Sequence, residues 1–366
     1  MMAVVEEKVG DLARLLYKKL ADVSHVRQRK RLVVPTSDDP AATPTVYFLT
    51  PDYQGASGGI RVIYRHVDIL NSIGVKAVVL HQRPGFRCDW FDNQTEITDV
   101  QKARVTRSDI LVVSELDIDL LSRIPSGIKF VIFNQNSHLT WRRGGALAGR
   151  MYGANPDLTG VVTVSDHNRE MLRYAFPLSP IDRVHLSIDP TLFHPGSGAR
   201  PRRIAYMPRR GRDDAEQIVE MLRARGVLDG WEVVALDGLA HSEVADKLRT
   251  TRIFLALTYQ EGFGLPAAEA MACGNYVIGN HGFGGKEFFL PEFSAVVEPG
   301  DIMALVRAVE EAIYNDEKNV GWCRNRGQAA SAFIHETYSP QRERDDVATF
   351  YREFLASVLP ARQAAE

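Results

Sequence analysis

The chain has 366 residues, 45% hydrophobic and 25% charged, with 44 Lys+Arg against 46 Asp+Glu and a formal charge of -2. That is the balance of a soluble globular protein of about two or three domains, large enough to bury a core without staples, and it excludes a strongly basic nucleic-acid binder. Cys88, Cys273 and Cys323 lie far apart without CxxC spacing, which argues against a disulfide framework and a zinc site and favours a reducing cytoplasm.

Residues 1–44 read as an amphipathic helix and a linker. Val5, Val9, Leu12, Leu16, Leu20 and Val23 recur at helical steps. Glu6, Glu7, Lys8 and Asp11 interrupt any secretory apolar region, and no run approaches the roughly 18 residues of a membrane span. Residues 1–31 hold eight cations against four anions, a local +4. Two readings stand: peripheral contact with an anionic membrane face, or a packing or dimerisation helix with a solvated side. Residues 35–44, PTSDDPAATP, form the linker.

From Thr45 short apolar strands alternate with helices. TVYFLT (45–50), KAVVLH (76–81), DILVVS (109–114), KFVIFNQ (129–135), GVVTVS (160–165) and DRVHLSI (182–188) read as buried strands, with helices over 60–72 and 166–175. PTLFHPGSGARP (190–201) loses the periodicity and concentrates Pro and Gly. A second series follows: strands at 202–207, 231–237, 252–258, 275–280 and 295–300, helices over 213–225, 242–249, 265–273 and 301–314, and a helical tail broken at Pro340. This pattern predicts an α/β protein with two Rossmann-like, doubly wound domains, 45–189 and 202–337, facing a cleft. The final segment, 338–366, is expected to pack back toward the first domain.

The densest chemistry lies in RIFLALTYQEGFGLPAAEAMACG, Arg252 to Gly274. A strand runs into Glu261-Gly262-Phe263-Gly264-Leu265, and Pro266 sits where a helix begins. The glycines allow close approach of a ligand to backbone, and the helix start offers free N–H groups to a diphosphate or a hydroxyl. Glu269 stands one turn in. Two carboxylates at an anion-capable site make sense as hydroxyl acceptors; the plain alternative for Glu269 is a solvated helical residue. A second Gly-rich turn, QGASGG, places Gly58 and Gly59 before a first-domain helix.

The stretch from Glu261 to Gly274, EGFGLPAAEAMACG, resembles the signature of the retaining GT-B glycosyltransferases of family GT4, with its E-x7-E spacing. The resemblance covers about 45–335, including SIDPTLFHP (187–195) and VVTVSDHNREML (161–172). It implies a two-domain GT-B enzyme of hexosyltransferase type, with the donor held by the second domain and the acceptor recognised by the first. A sugar would pass from a nucleotide-diphosphate sugar to a hydroxyl of a glycan, lipid-linked or small-molecule acceptor, as in polysaccharide biosynthesis. Glu269 would hold the donor ribose, and Glu261 with the backbone of Gly262, Phe263, Gly264 and Leu265 the transferred sugar. Arg209, Arg210 and Arg212 resemble the family's Arg/Lys pair that neutralises the diphosphate, with three candidates for two roles. Gly58 and Gly59 would face the donor phosphate, and His138 the transferred sugar. The expected catalytic group is thus Glu261, His138 and Arg209. No cofactor is implied, and metal-independence is expected because arginines serve the phosphates; Asp117-Ile118-Asp119, a DxD, falls in a short helix where the two carboxylates diverge. A nucleotide-sugar epimerase of GT-B architecture and a non-catalytic GT-B scaffold are the rival readings. Localisation is expected to be cytoplasmic, with a peripheral position at the inner membrane face as an extension of the first 31 residues.

Overall fold

The computed structural model describes residues 32–39, 43–141, 145–209 and 211–358, the side chains of 353–358 excepted. The amphipathic segment 1–31 and Arg210 lie outside the described residues.

Two all-parallel sheets form, as the alternating pattern predicts. The first contains β1 (Val46–Leu49), β2 (Ala77–His81), β3 (Ile97–Asp99), β4 (Ile110–Ser114), β5 (Lys129–Asn134), β6 (Leu158–Thr163) and β7 (Ile181–Arg183), in the order β3-β2-β1-β4-β5-β6-β7. The second contains β8 (Arg203–Tyr206), β9 (Glu232–Ala235), β10 (Ile253–Ala256), β11 (Tyr276–Gly279) and β12 (Ser294–Val296), in the order β12-β11-β10-β8-β9. The strand order reverses beside β1 in one sheet and beside β8 in the other, so each sheet has a switch point whose carboxyl edge can take a ligand. The three-residue β3 has no counterpart in the sequence reading, because ITD is too short and polar to carry a strand pattern. β7 and β12 are also shorter than their apolar runs.

The helices cover both faces of the sheets. In the first domain they are α1 (Gly58–Ser72), α2 (Ile118–Leu121), α3 (Ser137–Thr140), α4 (Gly145–Gly153) and α5 (Asp166–Ala175). In the second they are α6 (Arg212–Ala224), α7 (His241–Arg249), α8 (Leu265–Ala272), α9 (Ile302–Lys318) and α10 (Trp322–Thr337). The buried face of α1, with Val62, Ile63, Val67 and Leu70, packs on the sheet and leaves Arg61 and Arg65 on the cleft side. α8 is an alanine-rich helix buried almost all round, and this fixes Glu269 on a rigid element.

The last helix, α11 (Pro340–Val358), crosses to the first domain. The Tyr351 ring lies 6.0 Å from that of Phe48 in β1. The Glu343 carboxylate, fully buried, meets Arg65 at 2.6 Å and accepts from Ser187 Oγ at 2.5 Å. These partners hold it well below the usual carboxylate range, at about 2, against the opposing effect of burial. One apolar core runs through both units: Phe48, Phe193, Phe263 and Tyr338 belong to a single buried cluster. No helix among the described residues is long and apolar enough to cross a membrane.

Candidate active site in the interdomain cleft

The turn after β10 is built by strain and close approach. Gln260 adopts a left-handed φ of 57° and Phe283, across the turn, a φ of 68°. The Glu261 N–H donates to Gly282 O at 2.8 Å, and Glu261 bridges Phe283. Gly264, at φ 97°, ends the turn and starts α8. Gly262 has a second constraint: a Cβ there would stand 1.7 Å from the carbonyl oxygen of Gln135, in the other domain. Its lack of a side chain is therefore what lets the two domains touch.

The Gly-rich turn before α1 meets the same point from the opposite side. A Cβ on Gly58 would be 2.7 Å from Leu265 Cδ1, and one on Gly59 3.1 Å from the Gln135 side chain. Asn136 Nδ2 donates to Gln260 O at 2.8 Å, and Arg209 reaches across to donate to Ala56 O at 2.8 Å. The structure thus brings Gly58, Gly59, Arg209, Glu261, Gly262, Gly264 and Leu265 to one interdomain seam. The side chain of Phe263 points away from it, into the core against Phe288 and Tyr338, so only its backbone can meet a ligand. Arg212 is turned elsewhere: it lies on the surface and pairs with Asp237 at 2.9 Å.

His138 lies in α3, whose N-cap Asn136 accepts from the His138 N–H at 3.1 Å. Its ring stacks on His167 at 5.2 Å and meets Phe283 at 5.5 Å. This puts His138 on the side of the seam that carries Glu261, through Phe283. Beneath the same loop, Glu115 is wholly buried and accepts from the Gln135 N–H at 3.1 Å. Burial raises its carboxyl to about 7.

Glu269 is 5% exposed and faces the cleft, where its Oε1 pairs with Arg61 of α1 at 2.5 Å. His241 Nε2 lies 3.4 Å from the same oxygen. Burial first, and Arg61 second, push the His241 ring down to about 4, so it is neutral at pH 7. Sequence reasoning passed over Arg61, Gln135 and His241. A cation one turn past Gly58-Gly59 was an available signal for Arg61; the other two are linked to the site only by distant chain pairing. A cavity of about 1020 Å³ opens beside Glu269 between the domains. Such a volume suits a ligand of nucleotide size, and the seam adds two helix N-termini and an arginine.

Residues 212–329 match the family described as Glycosyl transferases group 1. A relative described as an Alpha-1,6-glucosyltransferase, from Actinobacillus pleuropneumoniae serotype 7 (strain AP76), is 26% identical over 236 residues, 62% of this chain and 70% of that one. Sucrose-phosphate synthase from Thermosynechococcus elongatus superposes with a TM-score of 0.67 at 14% identity, over 86% of this chain and 100% of that one. Anabaena HepE, solved with UDP and glucose, gives a TM-score of 0.61 at 11% identity, over 85% of this chain and 100% of that one. The chain has the GT-B fold, and the family match and the glucosyltransferase relative support a glycosyltransferase.

Proposed function

We propose that the protein is a retaining glycosyltransferase of GT4 type that moves a hexose from a nucleotide-diphosphate sugar to a hydroxyl of a glycan or lipid-linked acceptor. The observation that carries this reading is the buried Glu269 carboxylate on a rigid helix, at the mouth of an interdomain cavity and one turn past a glycine seam with two helix N-termini. A carboxylate there is a charge-assisted acceptor for ribose hydroxyls. The leaving diphosphate would lie along Gly58-Gly59 and the α8 N-terminus, with Arg209 as its cation. Fixed dipoles and one arginine can stabilise the developing charge without a metal ion, and that is the mode we assign. Glu261 would hold hydroxyls of the transferred sugar, with His138 beside it.

In the reaction the bond from the anomeric carbon to the donor phosphate oxygen breaks, and the acceptor oxygen bonds that carbon from the same face. The acceptor proton passes to the leaving phosphate oxygen. No side chain need become covalently linked, so positioning and electrostatics supply most of the acceleration. The glucosyltransferase relative and the HepE complex with UDP and glucose make UDP-glucose the first donor to try.

Steady-state kinetics of two variants test the assignment. Glu261→Ala should lower kcat by roughly 100-fold with donor affinity little changed, and Glu269→Ala should weaken donor binding by roughly 10-fold or more. NMR of the product should show the donor's anomeric configuration retained. Variants with equal losses in both parameters, donor turnover without an acceptor, or an inverted product would overturn the reading.

A further inference from the structure

β4 and β5 run in register as far as Ser114 and Phe133. Glu115, one residue past β4, therefore lies beside the end of β5 and under the turn Gln135-Asn136. Its carboxylate is buried and accepts from the Gln135 N–H at 3.1 Å. The N–H groups of Asn136 and of Glu115 itself also favour its charged form. A carboxylate only accepts, so it can serve all three donors; an amide of the same size carries two donor hydrogens of its own.

Gln135-Asn136 is where the first domain meets the second. A Cβ on Gly262 would strike both residues, Gln135 at its carbonyl and Asn136 at its Cα. Gln135 Nε2 donates to Gly59 O at 3.2 Å, and Asn136 Nδ2 donates to Gln260 O at 2.8 Å. Asn136 Oδ1 caps α3, the helix of His138. The far side of the turn is anchored to α5, where Ser137 Oγ donates to Asn168 Oδ1 at 2.7 Å. The near side rests on Glu115. We infer that Glu115 is a positioning residue: by clasping the Gln135 and Asn136 amides it sets where the first domain meets Gly262 and where His138 stands, without touching substrate. The inference rests on the proposed transfer reaction.

The clasp depends on a proton. Burial raises the carboxyl to about 7, the backbone N–H groups oppose it, and Asp117, the N-cap of α2, adds like charge. Asp117 itself accepts from Ser114 Oγ at 2.6 Å. From α4 the Tyr152 phenol faces Glu115 and accepts from Asn134 Nδ2 at 2.8 Å. On α3 the His138 ring is turned to His167 and Phe283, and across the seam Glu261 follows Gln260. Donors that favour the charged form are in turn held more tightly by it. Loss of the proton therefore tightens the turn. The fold as a whole must bury that charge, so its stability falls as pH rises from about 4.5 through about 7.

Hydrogen exchange and steady-state kinetics of the full chain, on either side of about pH 7, test the clasp. Corrected for intrinsic exchange, protection of the Gln135 and Asn136 amides should rise through that pH in the wild type. In Glu115→Gln it should stay level and roughly tenfold lower. The wild-type kcat should rise with the same midpoint. The variant's kcat should be roughly tenfold lower and flat, with calorimetric affinity for the preferred nucleoside diphosphate within about threefold of the wild type. Protection that is flat with pH in the wild type, an inflection that survives in Glu115→Gln, or a loss confined to donor affinity would overturn the role. A wild type that transfers no sugar would sink the proposed function instead, and the exchange profile would then decide whether Glu115 holds the turn.

Discussion

At Gly262 a single hydrogen atom decides whether the domains can meet. The obstruction to a Cβ is the Gln135 backbone carbonyl, which cannot swing aside as a side-chain tip would. Gly262→Ala should therefore force the seam open by more than an ångström. Misplacement on that scale costs roughly 100-fold in rate. We expect kcat to fall by about that factor and the melting transition to fall as well, because Phe263, next in the chain, belongs to the core that both units share; unchanged turnover would show that closure at Gln135 is not needed. The glycines of this turn were legible in the sequence as points of close approach. What they approach was not: the neighbour lies more than a hundred residues away, and spacing along one segment carries no sign of it. The same holds for the Arg61–Glu269 pair, which joins positions 208 residues apart.

Among the elements, α11 packs its side chains against the first domain. Glu343 ties it to α1 through Arg65 and to the segment after β7 through Ser187. Removing one partner of a buried ion pair leaves the other unsatisfied, so Glu343→Ala should cost about 3 kcal/mol in chemical denaturation at pH 7. The sign with pH follows from the depressed carboxyl: the stabilisation is present above the ordinary carboxyl range and is lost as pH falls from about 4.5 through about 2. The wild type should lose stability across that window more steeply than the variant; parallel curves would contradict the linkage. Strand and helix periods, with the Pro266 helix start, made most of the elements readable. β3, α3, α4 and the loop that follows β2 were not, since elements of three or four residues have no period, α4 lacks a clear apolar stripe, and that loop takes its shape from Asp52 and Tyr64, distant in the chain.

Across the molecule, two doubly wound sheets turn their switch points toward one cleft. Each supplies a glycine turn and a helix N-terminus, and the cavity between them has room for a nucleotide. Twin sheets were legible because parallel strands are apolar along their whole length. The cavity was not, because its walls come from six separate stretches of chain. Whether the cleft binds a nucleotide through Glu269 is read by calorimetry of wild type and Glu269→Ala with UDP, GDP, dTDP and ADP, each with and without EDTA. Micromolar binding of one nucleotide by the wild type is expected, unaffected by EDTA and strongly weakened in the variant. Binding of none, or binding abolished by EDTA and indifferent to Glu269, would contradict it.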